Sequence, residues 1–224
     1  MSAGQVLEFL RILLVILISI DVHEFSHAWA ATWLGDPTPE SQGRLTLNPV
    51  AHLDPLGTLM IVISSFSGFG FGWGRPVQVN AARLRYGPAV GMGIVAAAGP
   101  LSNLLIALIT SLGYRLLGCS PVFNGGALCD MFTTFVLINV VLALFNLIPL
   151  FPLDGFRIVL AILRLFRGRT AIELGYRLES TAAYGPMLFI LLILADQVLH
   201  VSILQTIIGT PANALIRFLL GFRL

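Results

Sequence analysis

Long stretches without a charged residue are the feature that most limits how this chain can fold. Only 11% of its residues are charged, 57% are hydrophobic, and the mean hydropathy is +0.90. A soluble domain has about 25% charged residues, so this chain lacks the charged surface that such a domain needs. The composition excludes soluble, disordered and collagen-like chains. It predicts an all-α polytopic membrane protein, with one membrane-embedded domain over residues 1–224.

Five of the uncharged or nearly uncharged stretches are predicted membrane spans, because about 20 apolar residues cross the bilayer core. Their ranges are 12–33, 86–114, 131–153, 180–195 and 197–216. The first range carries a few polar residues near its C-terminal end. The last two are predicted to form a C-terminal helical hairpin over about residues 180–220.

A sixth uncharged stretch, residues 55–74, differs from the spans in its glycine content. A brief apolar run, 59–63, is followed by serines and glycines. Each glycine weakens a helix by about 1 kcal/mol relative to alanine. We therefore expect a re-entrant or interfacial segment, which is tolerated at membrane depth where protein or a wet cavity covers it. Residues 75–80 then alternate in polarity as a short β-strand does.

Residues 23–27 form an H-E-x-x-H pattern inside the first predicted span. The spacing of four puts His23 and His27 on one face of a helix, one turn apart, where both can bind one zinc ion. Glu24 lies about 100° round the helix and is free to act as a base on water at the zinc. Because histidine and glutamate are rare and costly inside membrane spans, a function explains this pattern better than chance does.

Asp154 is the best candidate for a third metal ligand, since a catalytic zinc takes three protein ligands and keeps a fourth position open. It follows the uncharged span 131–153. Pro149 and Pro152 break the helix before it, and Gly155 allows a sharp turn after it. The alternative is an ordinary interfacial aspartate that closes a span. The presence of H-E-x-x-H favours the ligand.

These motifs resemble those of the site-2 protease family of intramembrane zinc metalloproteases. Residues 23–29 match the first family motif, and residues 146–155 match the second, Asn-x-x-Pro-x-x-Pro-Leu-Asp-Gly, at every position. Residues 98–103 resemble the Gly-Pro-x-x-Asn feature of an intervening helix. Residues 47–57 and 74–80 resemble signatures of a compact bacterial and archaeal branch, which lacks a PDZ or regulatory domain.

The resemblance covers about residues 12–160, the expected core of the domain, and implies an enzyme. It implies that His23, His27 and Asp154 bind one zinc ion per chain and that Glu24 is the general base. The implied reaction is hydrolysis of a peptide bond within or near the transmembrane helix of a single-span membrane protein, as in regulated intramembrane proteolysis. The implied location is the inner or plasma membrane of the cell.

Asn146 is a candidate substrate-binding residue, because it precedes Asp154 by two helical turns. Its amide can bond to the substrate backbone or to the oxyanion of the reaction. The alternative is an interhelical hydrogen bond, which is the usual role of asparagine inside a span. Asn103 and Asn139 carry the same ambiguity, and we interpret them as packing residues.

The family resemblance also implies that residues 75–80, including Val77, Val79 and Asn80, hold an unwound substrate by strand addition. The alternative is an ordinary strand at the membrane interface. His52 is a candidate gating residue or extra metal ligand, because it lies in a loop close to the motifs in sequence. A loop histidine that caps its own turn is the simpler interpretation.

The metal motifs constrain the topology, because both lie at the C-terminal ends of their spans and must reach the same depth. The two spans then run parallel, with the single crossing 86–114 between them. The segment 55–74 must enter and leave on one side. This arrangement collects nine arginines on the side of the motifs, which the positive-inside rule makes cytoplasmic. They are Arg44, Arg75, Arg83, Arg85, Arg157, Arg164, Arg167, Arg169 and Arg177.

The opposite side then carries Arg11 and Arg115 and the loop 118–130. Cys119 and Cys129 lie in that loop, where an oxidising exterior permits a disulfide. Two unpaired thiols are an equally good interpretation of the sequence.

Other functions stay open at this point. A non-enzymatic zinc transporter or metal-binding protein needs a second polar relay, for which the last spans offer only Asp196 and His200. A protease of the prenyl-protein type needs a glutamate as third ligand, and Glu173 and Glu179 fit that place poorly. A degenerate, inactive scaffold is the third alternative.

The expected partners are single-span membrane-protein substrates and the lipid bilayer. A nucleic-acid partner is not expected, because no basic stripe interleaved with aromatic residues is present. The sequence leaves an adaptor protein and a homo-oligomer open.

Overall fold

The computed structural model describes residues 2–66, 74–120, 126–166, 168–199 and 202–221. Within these ranges the chain is mostly helical and contains no β-sheet. The α-helices in chain order are α1 (Ala3–Trp33), α2 (Thr38–Ser41), α3 (Pro49–His52), α4 (Pro55–Phe66), α5 (Pro88–Leu116), α6 (Gly126–Asn146), α7 (Asp154–Leu165), α8 (Arg169–Thr181), α9 (Gly185–Leu199) and α10 (Thr210–Leu220). Shorter helical turns occur at Ala81–Arg83, Ala182–Tyr184 and Gln205–Gly209.

Three of the described helices, α1, α5 and α6, are long and apolar enough to cross a membrane. The shortest, α6, has 21 residues and is about 31 Å long at 1.5 Å per residue, close to the bilayer core of about 30 Å. These helices overlap the first three predicted spans, although α6 ends at Asn146, before the predicted end of the third span at residue 153. The last two predicted spans overlap α9 and α10 only in part, and these helices, with 15 and 11 residues, are shorter than a span. Five spans therefore stay a prediction.

Helix α5 is the centre of the fold and packs against α1, α6 and α7. Glycines on α5 allow close approach, since a Cβ on Gly93 would lie 2.1 Å from the Cβ of Ala161 on α7. One buried apolar cluster joins α5 and α6 to α10 and includes Ala107, Val136 and Ala212. The position of α5 between these helices makes it the element that aligns α1 with α7.

A disulfide between Cys119 and Cys129 joins the ends of α5 and α6, with the two Cα atoms 5.7 Å apart. Arg11 near the start of α1 forms an ion pair with Asp130 at 3.2 Å. The three spanning helices are thus tied together at this end of the molecule. Of the two interpretations of the cysteines, the structure shows the bonded one.

The segment after α3 differs from the prediction of a short strand. Residues 75–80 form no strand, and the pairing nearby is a single antiparallel bridge between Leu53 and Gly74. Alternating polarity produces a strand only where a second segment lies alongside, and the described residues supply none beyond that bridge. Helix α4 occupies the apolar part of the predicted re-entrant segment, and its glycine-rich part, 67–73, lies outside the described residues.

Replacing Gly93 by alanine is expected to destabilise the protein. The new methyl group would overlap Ala161, and overpacking of this kind costs about 1–3 kcal/mol. The midpoint of thermal unfolding in detergent should therefore fall. Gly175→Ala on α8 is the matched control, because a Cβ there meets no atom within 4 Å and alanine is the better helix former. An unchanged midpoint for Gly93→Ala would contradict the close contact between α5 and α7.

Candidate metal centre

The side chains of His23, His27 and Asp154 meet between α1 and the start of α7. The Oδ2 atom of Asp154 lies 3.2 Å from Nε2 of His23 and 3.4 Å from Nε2 of His27. The two Nε2 atoms are 3.0 Å apart. Both histidines are buried and Asp154 is partly buried. Among the described residues, these three side chains form a group whose ligand atoms are close enough together to hold one metal ion.

The spacing of these three atoms fits a zinc ion. Zinc binds nitrogen and carboxylate oxygen at about 2.0–2.2 Å in tetrahedral geometry, so its ligand atoms lie about 3.3 Å apart. The observed separations of 3.0, 3.2 and 3.4 Å match that value. The buried Oδ2 of Asp154 also lacks a properly aligned hydrogen-bond donor, although both imidazole nitrogens are close. A cation between the three atoms would satisfy this oxygen.

The charge state of Asp154 also suits a metal ligand. Its Oδ2 atom faces the Nε2 atoms of both imidazoles, and a carboxylate in its anionic form binds a metal.

Each imidazole is held so that its Nε2 atom points toward Asp154. Nδ1 of His27 lies 2.8 Å from the carbonyl oxygen of Val95, and Nδ1 of His23 lies 2.6 Å from Oδ1 of Asn103. Both partners are acceptors, so both Nδ1 atoms carry the proton. The lone pairs of both Nε2 atoms are then free for a metal, which is the usual arrangement of metal-binding histidines.

Asn103 belongs to a buried polar network that links α1, α5 and α6. Its Nδ2 donates to the carbonyl of Ser19 at 3.2 Å and to Oδ1 of Asn139 at 2.8 Å. Asn139 in turn donates to Oγ of Ser19 at 2.9 Å. All three residues are fully buried. The packing role expected for Asn103 and Asn139 is present, and Asn103 in addition orients His23.

Gly99 is a site residue that sequence reasoning did not single out. A Cβ at this position would lie 2.5 Å from Nε2 of His27 and 2.6 Å from Cε1 of His23. Any larger residue would displace the imidazoles. In the sequence, Gly99 is marked only by its place in the Gly99-Pro100 pair of the family-like motif. That pair does not show that Gly99 packs on the two histidines.

The break between α6 and α7 positions Asp154. Helix α6 ends at Asn146, and Pro149 and Pro152 lie in the connection. A Cβ on Gly155 would lie 2.2 Å from the carbonyl oxygen of Leu147, so the connection folds back tightly onto the start of α7. Asp154 is consequently the first residue of α7 and faces α1 instead of continuing α6.

A cavity of about 400 Å³ lies beside the metal centre, and its walls are largely apolar. Glu24 and Asn146 both line it, together with His23. Nδ2 of Asn146 donates to the carbonyl of Leu142 at 3.0 Å. The remaining lining residues are Ile20, Gly74, Leu142, Phe145, Pro152, Leu153, Pro186, Phe189 and Ile190. Glu24, the predicted general base, and Asn146 therefore face one space.

His52 lies in its own loop and not at the metal centre. It is almost fully buried, its Nε2 is 2.8 Å from the carbonyl oxygen of Thr46, and the same atom is 3.7 Å from Oδ1 of Asp21. A histidine that bonds within its own turn was the simpler of the two interpretations, and the structure shows that contact. Asp21 is buried on α1 and faces the loop through His52.

The structure does not place Val77, Val79 and Asn80 on the cavity wall. Val79 packs against the buried cluster that joins α1 to α5. The backbone N–H of Asn80 donates to Oδ2 of Asp36 at 2.6 Å. Asp36 is completely buried and also accepts from the N–H and hydroxyl of Thr38. Sequence reasoning missed Asp36, since nothing in its neighbourhood in the sequence indicates a partner 44 residues away.

Comparison with known proteins points to one family. The model of peptidase family M50 matches residues 122–193, which contain Asp154. A Bacillus subtilis protein named "Putative zinc metalloprotease YwhC" is 37% identical over 190 residues, covering 81% of this chain and 78% of that protein. A Mycolicibacterium smegmatis protein named "Putative zinc metalloprotease Rip2" is 31% identical over 145 residues, covering 62% of this chain and 52% of that protein. No solved structure matches the chain.

Replacing Asn103 by alanine is expected to weaken zinc binding about 10–100-fold, the usual effect of removing a group that orients a metal-binding histidine. The affinity is measured by competition with a chelator. Ser102→Ala is the matched control on the same helix, because its hydroxyl donates to the carbonyl of Gly99 and does not contact an imidazole. Equal affinity of Asn103→Ala and the unmodified protein would show that Asn103 does not position His23.

Proposed function

This chain belongs to peptidase family M50, and on that basis we propose that it is a site-2-type zinc metalloprotease. The proposed reaction is hydrolysis of a peptide bond within or near the transmembrane helix of a single-span membrane protein. The observation that carries the proposal is the convergence of His23, His27 and Asp154 next to a cavity that Glu24 lines.

The proposed metal ligands are His23, His27 and Asp154, which would hold one zinc ion per chain. Bound zinc would polarise the scissile carbonyl and lower the pKa of water at the site. Glu24 accepts a proton as the water oxygen bonds to the carbonyl carbon. It then donates that proton to the nitrogen as the C–N bond breaks. The products are a carboxylic acid and an amine, so atoms and charge balance.

The cavity supports a transmembrane segment as the substrate. Its wall is largely apolar and includes Leu142, Phe145, Phe189 and Ile190, which suit the side chains of a membrane helix. The carbonyls of such a helix are hydrogen-bonded internally, so the helix must unwind before its peptide bond reaches Glu24. The amide of Asn146, on the same wall, is the proposed partner of the exposed backbone or of the oxyanion.

Strand addition remains part of the proposal for residues 75–80, including Val77, Val79 and Asn80. This segment follows Gly74 on the cavity wall and forms no strand in the described chain. A segment beside the cavity that forms no strand can accept an unwound substrate chain without first breaking a β-ladder.

The proposed orientation places the metal centre near the cytoplasmic face of the plasma membrane. The disulfide of Cys119 and Cys129 supports an oxidising environment at the end of α5. Residue 99, which packs on the histidines, lies 17 residues before Leu116, or about 26 Å along the helix. The metal centre is then on the opposite side from the disulfide, and the arginine distribution agrees with that side being cytoplasmic.

Glu24→Gln is expected to retain zinc and to lose cleavage at least about 100-fold, since loss of a general base typically has that effect. Asp154→Ala is expected to lose both zinc and cleavage. The measurements are metal content and cleavage of a single-span peptide by purified protein. Glu40→Gln, at an exposed carboxylate on α2, is the control. Full cleavage by Glu24→Gln would exclude Glu24 as the base. Zinc binding without cleavage by the unmodified protein would favour a non-enzymatic metal-binding protein.

The orientation predicts which engineered cysteines react in intact cells. Gln5→Cys, at the exposed start of α1, should be labelled by a membrane-impermeant maleimide. Ser41→Cys, at the exposed end of α2, should react only after permeabilisation. The reverse pattern would place the metal centre on the exterior side.

A further inference from the structure

Two short pieces of backbone, residues 44–54 and Gly74–Arg75, together form a roof beside Glu24. The N–H of Arg75 donates to the carbonyl of His52 at 2.7 Å, next to the antiparallel bridge between Leu53 and Gly74. Gly74 lines the cavity, and a Cβ there would lie 3.6 Å from Oε1 of Glu24. The position of the roof therefore limits the space in front of the general base.

Arg44 joins the two pieces of the roof from the inside. Its side chain is buried, with 5% of the residue exposed. Nη1 of its guanidinium donates to the carbonyl of Ala51 in the first piece and, at 3.5 Å, to the carbonyl of Arg75 in the second. One side chain thus bonds to both pieces of the roof.

The charge of Arg44 is not explained by an ion pair. None of the ion pairs formed by the described residues includes Arg44. Burial lowers the pKa of Arg44 and Arg75 lowers it further, while Glu24 raises it. A buried cation without an ion-pair partner reduces stability, so a neutral side chain would serve a purely structural role better.

We propose that Arg44 is a positioning residue that fixes the roof over Glu24 and so sets where a bound peptide lies relative to the base. This inference rests on the proposed function. The planar guanidinium suits the task, because the two N–H groups of Nη1 point in fixed directions and both carbonyl groups accept from that one atom. A lysine ammonium keeps the charge but not the planar geometry, so Arg44→Lys separates the two properties.

The kinetic test compares Arg44→Gln and Arg44→Lys with Arg83→Gln, which removes an exposed arginine outside the roof. We expect both Arg44 variants to retain zinc, because the proposed ligands lie on α1 and α7. Their kcat for a single-span peptide should fall, by about 100-fold for Arg44→Gln, while KM changes less than about threefold. Arg83→Gln should match the unmodified protein. Unchanged kcat in both Arg44 variants, or loss of zinc together with activity, would overturn the proposal.

A cross-linking test is independent of activity. A Cβ on Gly74 would lie 3.1 Å from Cγ2 of Ile20, so Ile20→Cys with Gly74→Cys places two thiols within disulfide range. With Arg44 present, mild oxidation should join them. Addition of Arg44→Gln should reduce the yield severalfold. Equal yields, or no cross-link with Arg44 present, would show that Arg44 does not hold the roof in place.

The two tests separate failure of this inference from failure of the proposed function. A protein that cleaves no peptide but cross-links only with Arg44 present would retain the roof and lose the proposed proteolysis. A protein that cleaves normally and cross-links equally in both backgrounds would retain the proteolysis and lose the role of Arg44.

Discussion

Three electron-rich atoms, one carboxylate oxygen and two imidazole nitrogens, lie 3.0–3.4 Å apart, and the packing of α1, α5 and α7 holds them at that spacing. The ligands come from α1 and α7, far apart in the sequence. Helix α5 brings them together in three ways. Gly93 lets α7 approach, Gly99 leaves space for the imidazoles, and Asn103 orients His23. A single helix thus sets both the separation and the direction of the proposed ligands.

The molecule combines a fixed frame with a small, separately held element. The frame is tied by the disulfide at one end and by the network of Ser19, Asn103 and Asn139 near the metal centre. The roof is held by hydrogen bonds from Arg44 and by contacts of His52. This division suits the proposed cleavage of a membrane helix, because the proposed metal ligands would stay fixed while the roof beside Glu24 contacts a chain that unwinds.

The sequence predicts the parts of the site that depend on local geometry. The helical period alone puts His23 and His27 on one face, and the prolines before Asp154 predict the helix break that directs it away from α6. Contacts between residues that are far apart in the sequence leave no comparable local pattern. Asn103 with His23, Asp36 with Asn80 and Arg44 with Arg75 are examples. The alternation over residues 75–80 predicted a strand that the described chain does not form, because alternation specifies a face and not a neighbour.

The proposed zinc site consists of two imidazoles and one carboxylate around a single ion. X-ray absorption at the zinc edge of the purified, metal-loaded protein tests this site. We expect about one zinc per chain with two nitrogen ligands and oxygen ligands, all at about 2.0–2.2 Å. Sulfur ligands at about 2.3 Å, or the same spectrum after His23, His27 and Asp154 are all replaced by alanine, would contradict it.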